Sequence, residues 1–551
     1  MTNIVCWYKI LICSMNGGAI LEKIKKQASN FVVGAFVIAV AHILAKFIGA
    51  LYKIPLDTYI LGPKGMGVYS QAYIIYSWLF VVSTAGLPVA ISKMVSEAIA
   101  NDDFTEGERI FKISRKLLLV VGIIAFLILF FGAGLLSKIN SSGTSKIALM
   151  FMAPSLFFVC LSSSYRGYYQ GRENMMPTAV SEVIEAFCKL VFGLLFAYYA
   201  IKIYKVYYIG AAGAILGVTV GTFFSMIFLM IYHSKKREKN LVYTPYDAKK
   251  SKEILAKLIK LAIPITLGVS VFTLTSVIDA ATVLRQLEGI GFMEAKRDEL
   301  FGYLNRAITL FNFPPTIISA IAISIVPAIA SNIALKDNKK AILNVKTALK
   351  VTILIAMPCA VGLSALASPI LELVYSDPNH SFLLNVMGIS VLFVTVVQVS
   401  NAILQAYNRP WVPVVNMLIG GIVKIGVNYV LVSRPEININ GAPIGTLLCY
   451  ITVMSLNLYQ IKKITGLKFG IKDFIIKPLS LGIVTAAVAI YSYSFISSLC
   501  GNFISTLGAI SIAAIIYVVF FLLIKALNRY DLSMLPKGDK ITKVLERFKL
   551  I

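Results

Sequence analysis

Long apolar runs, most of them closed by charge, glycine or proline, recur along this chain from about residue 31 to residue 527. A helix needs about 20 such residues to cross the hydrocarbon core of a bilayer, and the runs reach that length again and again. They predict helices at 31–53, 68–92, 117–137, 147–168, 178–201, 208–232, 261–284, 302–330, 350–372, 383–405, 412–432, 442–461, 477–497 and 504–527. The expected fold class is an all-α polytopic protein of the cell membrane with 14 transmembrane helices.

Composition agrees. Of 551 residues, 58% are hydrophobic and 14% charged, and mean hydropathy is +0.81. Soluble proteins carry about a quarter charged residues, so disorder, a collagen-like fibre and an ordinary soluble enzyme are excluded. The net charge of +26 would suggest nucleic acid on a soluble protein. Its placement says otherwise. With the N-terminus inside, 36 Lys and Arg fall in inner segments and nine in outer ones (Lys64, Lys138, Lys146, Lys202, Lys205, Arg285, Lys296, Arg297 and Arg434). That bias puts both termini in the cytoplasm and makes the surplus an orientation signal and a contact for anionic lipids; no nucleic-acid partner is expected. The seven cysteines are scattered and the three histidines form no cluster, so no metal site, cofactor or catalytic constellation is expected.

Residues 1–19 make a poor signal peptide, and Met15 is a plausible alternative start, followed by the basic, amphipathic stretch Leu21–Lys26. The rest reads as two similar halves and a tail. Gln170 to Pro177 leads into a helix carrying Lys189; Gln405 to Pro413 leads into one carrying Lys424. Leu87-Pro-Val-Ala-Ile-Ser92 has its counterpart in Val326-Pro-Ala-Ile-Ala-Ser331. Six helices per half return the chain to its starting side, which predicts parallel repeats with a site between them. The expected organisation is a cytoplasmic segment 1–30, an N-lobe 31–233, a basic linker 234–260, a C-lobe 261–463, two further helices in 464–528 and a basic tail 529–551. Between Leu479 and Leu523 there is no charge at all.

Ionisable residues inside a membrane are costly, so each is a functional candidate. Lys46, Lys53, Arg306, Lys189 and Lys424 are the basic candidates, with Asn305 beside Arg306 as a hydrogen-bonding neighbour. Each has a plainer reading. Lys53 can pair with Asp57, Lys189 with Glu185 one turn away, and Arg166 can snorkel to the cytoplasmic edge. Glu182, Glu185 and Asp279 are the acidic set, as charge partners or coupling groups, and Asp279 is placed to answer a lysine. The basic surplus suits an anion such as pyrophosphate. Pro314, Pro315, Pro327 and Pro264 predict kinks in helices that bend.

Ordered stretches within this pattern resemble the MurJ-like and stage V sporulation protein B-like branch of the multidrug/oligosaccharidyl-lipid/polysaccharide exporter superfamily. They are Ala45-Lys-Phe-Ile-Gly-Ala-Leu-Tyr-Lys-Ile-Pro55, Gly86-Leu-Pro-Val-Ala-Ile-Ser-Lys93, Tyr168-Tyr-Gln-Gly-Arg172, and Asn305-Arg306 with Phe313-Pro314. The resemblance implies two six-helix lobes in a V and two C-terminal helices that form a groove for a polyprenyl tail. It implies a flippase for lipid-linked cell-wall precursors such as undecaprenyl-pyrophosphate sugars, with Lys46, Lys53 and Arg306 in a cationic cavity; a monomer is expected. It leaves the drive to the membrane potential or a monovalent ion. Two departures stand out: Lys46 and Lys53 where the family often has arginine, and Asn305 where it often has a carboxylate. The competing readings are a cation-coupled multidrug exporter, which would depend on Glu182, Glu185 or Asp279, an exporter of another polysaccharide lipid, and a non-transporting scaffold.

Overall fold

In the computed structural model the described residues are 40–101, 103–139, 143–236, 248–316, 337–467 and 470–524, with isolated positions at 37, 318, 329, 332 and 333. The expectations for segment 1–30, Met15, Pro327 and the tail from 529 fall outside them. Helix α1 runs over 40–61 and ends in a wider π-turn, Leu56–Leu61. It is followed by α2 (Gly62–Thr84), α3 (Gly86–Ala100), α4 (Phe104–Ile139), α5 (Ser145–Gly171), α6 (Met176–Tyr204) and α7 (Tyr207–Lys236). Then come α8 (Ala248–Gly289), α9 (Glu294–Phe311), α10 (Asn338–Ala365), α11 (Ala367–Tyr375), α12 (Ser381–Ala406), α13 (Trp411–Val432), α14 (Gly441–Thr465), α15 (Lys477–Ser497) and α16 (Asn502–Leu523).

No strand occurs among the described residues. Within lipid a backbone must bond to itself, and the helix does so inside one segment. Ten stretches are long and apolar enough to cross a membrane. The first, Val40–Ala100, has 61 residues, about 90 Å at 1.5 Å per residue, with a break at Ala85 ahead of Pro88. Local chemistry sets the ends. Pro63, Pro177 and Pro478 stand in the first turns of α2, α6 and α15, where the missing N–H costs nothing. Asp337 caps α10 by accepting from the Lys340 N–H, and Gly466 closes α14 with φ +67.

Buried side chains collect in separate cores. One joins Tyr52, Met66, Leu149 and Ile215, from α1, α2, α5 and α7. Another joins Leu284, Phe301, Leu371 and Leu384, from α8, α9, α11 and α12, with Ala489 and Ala509 of α15 and α16. Helix α8 belongs to both sides. Its first half, with Ile254, Leu258 and Ala262 on one stripe, packs into the core of α3, α4, α5 and α7. Residues 248–260, expected as linker, are thus helical and docked. The helix expected over 302–330 begins at Glu294 and breaks at Asn312, ahead of Pro314 and Pro315. The helix expected over 350–372 divides at Leu366.

Candidate functional site: paired charges between two helix groups

The sequence-selected charges fall into three places. The first lies on α1 and α6. Lys46 is exposed, and its Nζ donates to Thr316 Oγ1 at 3.0 Å, beyond the kink after α9. One turn earlier, His42 Nε2 stands 3.0 Å from Glu182 Oε2. Glu185 does not take Lys189. It takes Arg166, at 2.9 Å, and Arg166 also donates to Ser181 Oγ and Ser225 Oγ at 3.1 and 3.0 Å. Arg166 therefore turns inward instead of snorkelling, because three acceptors on α6 and α7 outbid the edge of the membrane. Lys189 is held by aromatic faces, 5.1 Å from the Tyr52 ring centroid and 4.8 Å from that of Tyr73. The ring quadrupoles stabilise the ammonium without a carboxylate. Tyr69 packs against both rings.

The second place is on the C-terminal group. Lys424 Nζ lies 2.8 Å from Asp279 Oδ2, and Asn428 Nδ2 donates to Asp279 Oδ1 at 2.6 Å. Lys424 and Asn428 are four residues apart on α13, so both meet α8 from one face.

The third place joins the two groups at one end of the molecule. Arg306 is 4% exposed and Asp57 2%. The Nε and Nη2 of Arg306 grip Asp57 in a fork at 2.8–3.1 Å, and Nη1 donates to Asp377 Oδ2 at 2.8 Å. The guanidinium also lies 5.1 and 5.0 Å from the Tyr303 and Tyr375 ring centroids. Asp57 is thus engaged by Arg306, not by half-buried Lys53. Asn305 is buried and accepts from Thr309 at 3.5 Å. Beside this hub the backbones of α2 and α9 touch. A Cβ built on Gly67 would fall 1.9 Å from the Asp298 carbonyl oxygen, and one on Gly302 1.9 Å from that of Pro63. Only glycine permits that approach.

Sequence reasoning passed over Asp377, His42, Asn428 and the tyrosine cage. The signal available was local: Asn428 at i+4 from Lys424. Asp377 is 71 residues from its partner, and no spacing reports that. Among the described residues, no group of three or more His, Cys, Asp or Glu is placed to hold a metal ion.

Chemically, the arrangement is a set of cations set against carboxylates, tyrosine faces and hydroxyls. An anion entering it finds Lys46 exposed and, among the described residues, bound to a hydroxyl alone, whereas Arg306 is committed to a seam between helices. Charges kept inside long apolar helices, with a seam of touching backbones, define a multi-pass membrane transporter. Comparison with known proteins makes this specific: the chain belongs to the lipid II flippase MurJ family, whose model matches residues 97–518. Stage V sporulation protein B of Bacillus subtilis is 25% identical over 516 residues, 92% of this chain and 98% of that protein. The lipid II flippase MurJ of the same organism is 25% identical over 513 residues, 90% of this chain and 93% of that protein. Among solved structures, an inward closed conformation of lipid II flippase MurJ aligns with TM-score 0.67 at 17% identity, covering 90% of this chain and 98% of that one. An inward-facing multidrug resistance MATE family transporter aligns with TM-score 0.63 at 14% identity, covering 78% and 98%. The family resemblance expected from the sequence is borne out.

Proposed function

We propose that this chain flips undecaprenyl-pyrophosphate-linked cell-wall precursor, of the lipid II kind used for peptidoglycan, across the cytoplasmic membrane by alternating access. The observation that carries this reading, within its family, is Lys46: an exposed ammonium on α1 that, among the described residues, meets the other helix group through the hydroxyl of Thr316. A pyrophosphate displaces a hydroxyl from an ammonium, because it accepts the same hydrogen bonds and adds the attraction between opposite charges. Arg306, and Lys53 near Asp57, join the head group's path only when the seam opens.

Fourteen crossings fit the helices. Val40–Ala100 supplies two, nine further apolar stretches supply nine, α6 and α8 supply two, and the apolar run expected over 302–330, of which α9 is the described start, supplies the last. The Lys/Arg bias puts both termini in the cytoplasm and the α2–α9 seam on the outer side. Helices α1–α7 then form one lobe and α8–α14 the other. The tail groove falls to α15 and α16; a cavity of about 430 Å³ where the start of α15 meets α10, α12 and α14, lined by Leu349, Met357, Phe393, Leu458, Phe474 and Leu479, supports the α15 side of it. The transporter works as a monomer, with its basic loops on anionic lipid. Membrane potential favours outward movement of an anionic head group from a negative interior.

A cation-coupled drug exporter is the weaker reading, because Glu182, Glu185 and Asp279 each already stand beside a basic side chain. The test is flipping of labelled undecaprenyl-pyrophosphoryl disaccharide-peptide in proteoliposomes, read as loss of protection from an added impermeant enzyme. Lys46→Ala is expected to lower the rate at least tenfold while the protein stays folded. Normal flipping by Lys46→Ala would remove Lys46 from the site; cationic dye transport without flipping would favour the exporter.

A further inference from the structure

A buried carboxylate without a cation lies in the seam between α2 and α9. Asp298 is fully buried. Its Oδ1 accepts from Gln71 Nε2 at 2.7 Å, and its Oδ2 accepts from Thr144 Oγ1 at 3.0 Å and Tyr207 Oη at 3.4 Å. All three donors belong to the N-terminal group, whereas Asp298 stands on α9, ahead of the apolar stretch that begins near 302. One carboxylate thus ties α2, α7 and the turn before α5 to the opposite group, at the point where Gly67 lets the backbones touch.

The neighbouring charges are occupied elsewhere. Arg297 pairs with Glu288 at 3.0 Å, and Lys296 with Glu299 at 3.1 Å. Lys64 of α2 reaches Glu299 at 3.9 Å. Among the described residues no Lys or Arg pairs with Asp298. The titratable groups that face it are Glu294, one turn earlier on α9, and Tyr207 from α7. Glu294 Oε1 itself accepts from the N–H groups of Gly143 and Thr144 at 2.6 and 3.0 Å.

A carboxylate in that setting holds a proton more tightly than one in water, because burial and a neighbouring carboxylate both disfavour the charged form. Burial pushes Asp298 up to about 6, against about 3.9 for a solvated aspartate. The partners suit either state. Gln71 donates to the carboxylate through Nε2, while its Oε1 is buried with no partner among the described residues. A half-turn of that amide presents Oε1 to the O–H of a protonated carboxyl. The hydroxyls of Thr144 and Tyr207 also change from donor to acceptor.

We propose that Asp298 is a proton-binding site in the outer gate, where proton uptake holds the α2–α9 seam shut and proton loss favours its opening. The proposal rests on the alternating-access reading and its orientation. The sign follows from linkage. The closed, buried state binds the proton more tightly than the open, wetted one. Above about pH 6 neither state is protonated and the open fraction is at its highest. Between about 6 and 4 the closed state alone gains the proton, and the open-to-closed ratio falls about tenfold per pH unit. Below about 4 both are protonated and the dependence ends.

The test is the distance between spin labels at Tyr59→Cys and Met293→Cys, both strongly exposed and on opposite groups. The full chain, with its native cysteines replaced, is placed in nanodiscs from pH 8 to pH 4. The expected result is an open-to-closed ratio that is constant from pH 8 to about pH 6 and then falls about tenfold per unit down to about pH 4, and a flat profile in Asp298→Asn. Thr144→Val removes one donor from the carboxylate and should keep the slope while moving its midpoint to higher pH. An unchanged slope in Asp298→Asn, or an unmoved midpoint in Thr144→Val, overturns the proton site while leaving alternating access in place. A single closed distance at every pH, with and without substrate lipid, overturns alternating access itself.

Discussion

Lys189 and Lys424 each lie 19 residues after a glutamine, Gln170 and Gln405, in the helix that follows a proline-containing turn, yet their charges are met in different ways. Lys424 has a carboxylate, Asp279, at 2.8 Å. Lys189 has the faces of Tyr52 and Tyr73 at 5.1 and 4.8 Å, and the acidic residue one turn away belongs to Arg166. The shared spacing keeps the place of the cation along its helix and not the means of neutralising it. The difference is energetic. A buried ion pair fails badly when one partner is lost, because the other charge remains; a cage of neutral rings leaves no orphan charge when one ring is lost.

The sharpest way to break the comparison is therefore Asp279→Ala. Lys424 and Asp279 are each about 15% exposed, so an orphaned Lys424 stays in a dry setting. Its loss should cost about 3–5 kcal/mol, read as a lowered thermal unfolding midpoint in detergent. Adding Lys424→Met should recover most of that loss. If the single variant is as stable as wild type, Asp279 is not what stabilises Lys424.

How much of this was legible in the sequence follows from where each partner lies. Helices were legible because apolar runs and their proline and glycine ends are local, and most expected boundaries fall within a few residues of those observed. The exceptions have physical causes. Residues 248–260 carry enough lysine to read as a loop, but the spacing of Ile254, Leu258 and Ala262 gives that segment a buried stripe. The continuous run over 350–372 hides a break at Leu366. In the site, Lys46, Lys189, Lys424 and Arg306 were legible as charges out of place. Their partners were not. Asp57 is 249 residues from Arg306 and Tyr52 is 137 from Lys189, and periodicity carries nothing across such distances. Sequence proximity therefore offers Asp57 to Lys53, the nearest cation along the chain, whereas in space the cation that grips it is Arg306.

On the other side of the comparison a smaller effect is expected. Tyr73→Leu removes one of the two faces on Lys189 and should cost about 1–2 kcal/mol, whereas Tyr73→Phe, which keeps the ring, should change stability by less than half as much. Equal losses in the two variants would mean that the phenol hydroxyl, not the π face, holds the lysine.

The smallest effect concerns the pair that the spacing suggested. Glu185 and Lys189 are one turn apart, and such pairs contribute about 0.2–0.5 kcal/mol on an isolated helix. Since Glu185 is bonded to Arg166, a double-mutant cycle of Glu185→Gln with Lys189→Met should give a coupling near the bottom of that range. The cycle of Glu185→Gln with Arg166→Met should give a clearly larger one, because there the two groups share a charge-assisted bond at 2.9 Å. The reverse order would place Glu185 with Lys189 after all. The two halves would then resemble each other in how they neutralise their lysines, and Arg166 would depend on Ser181 and Ser225 alone.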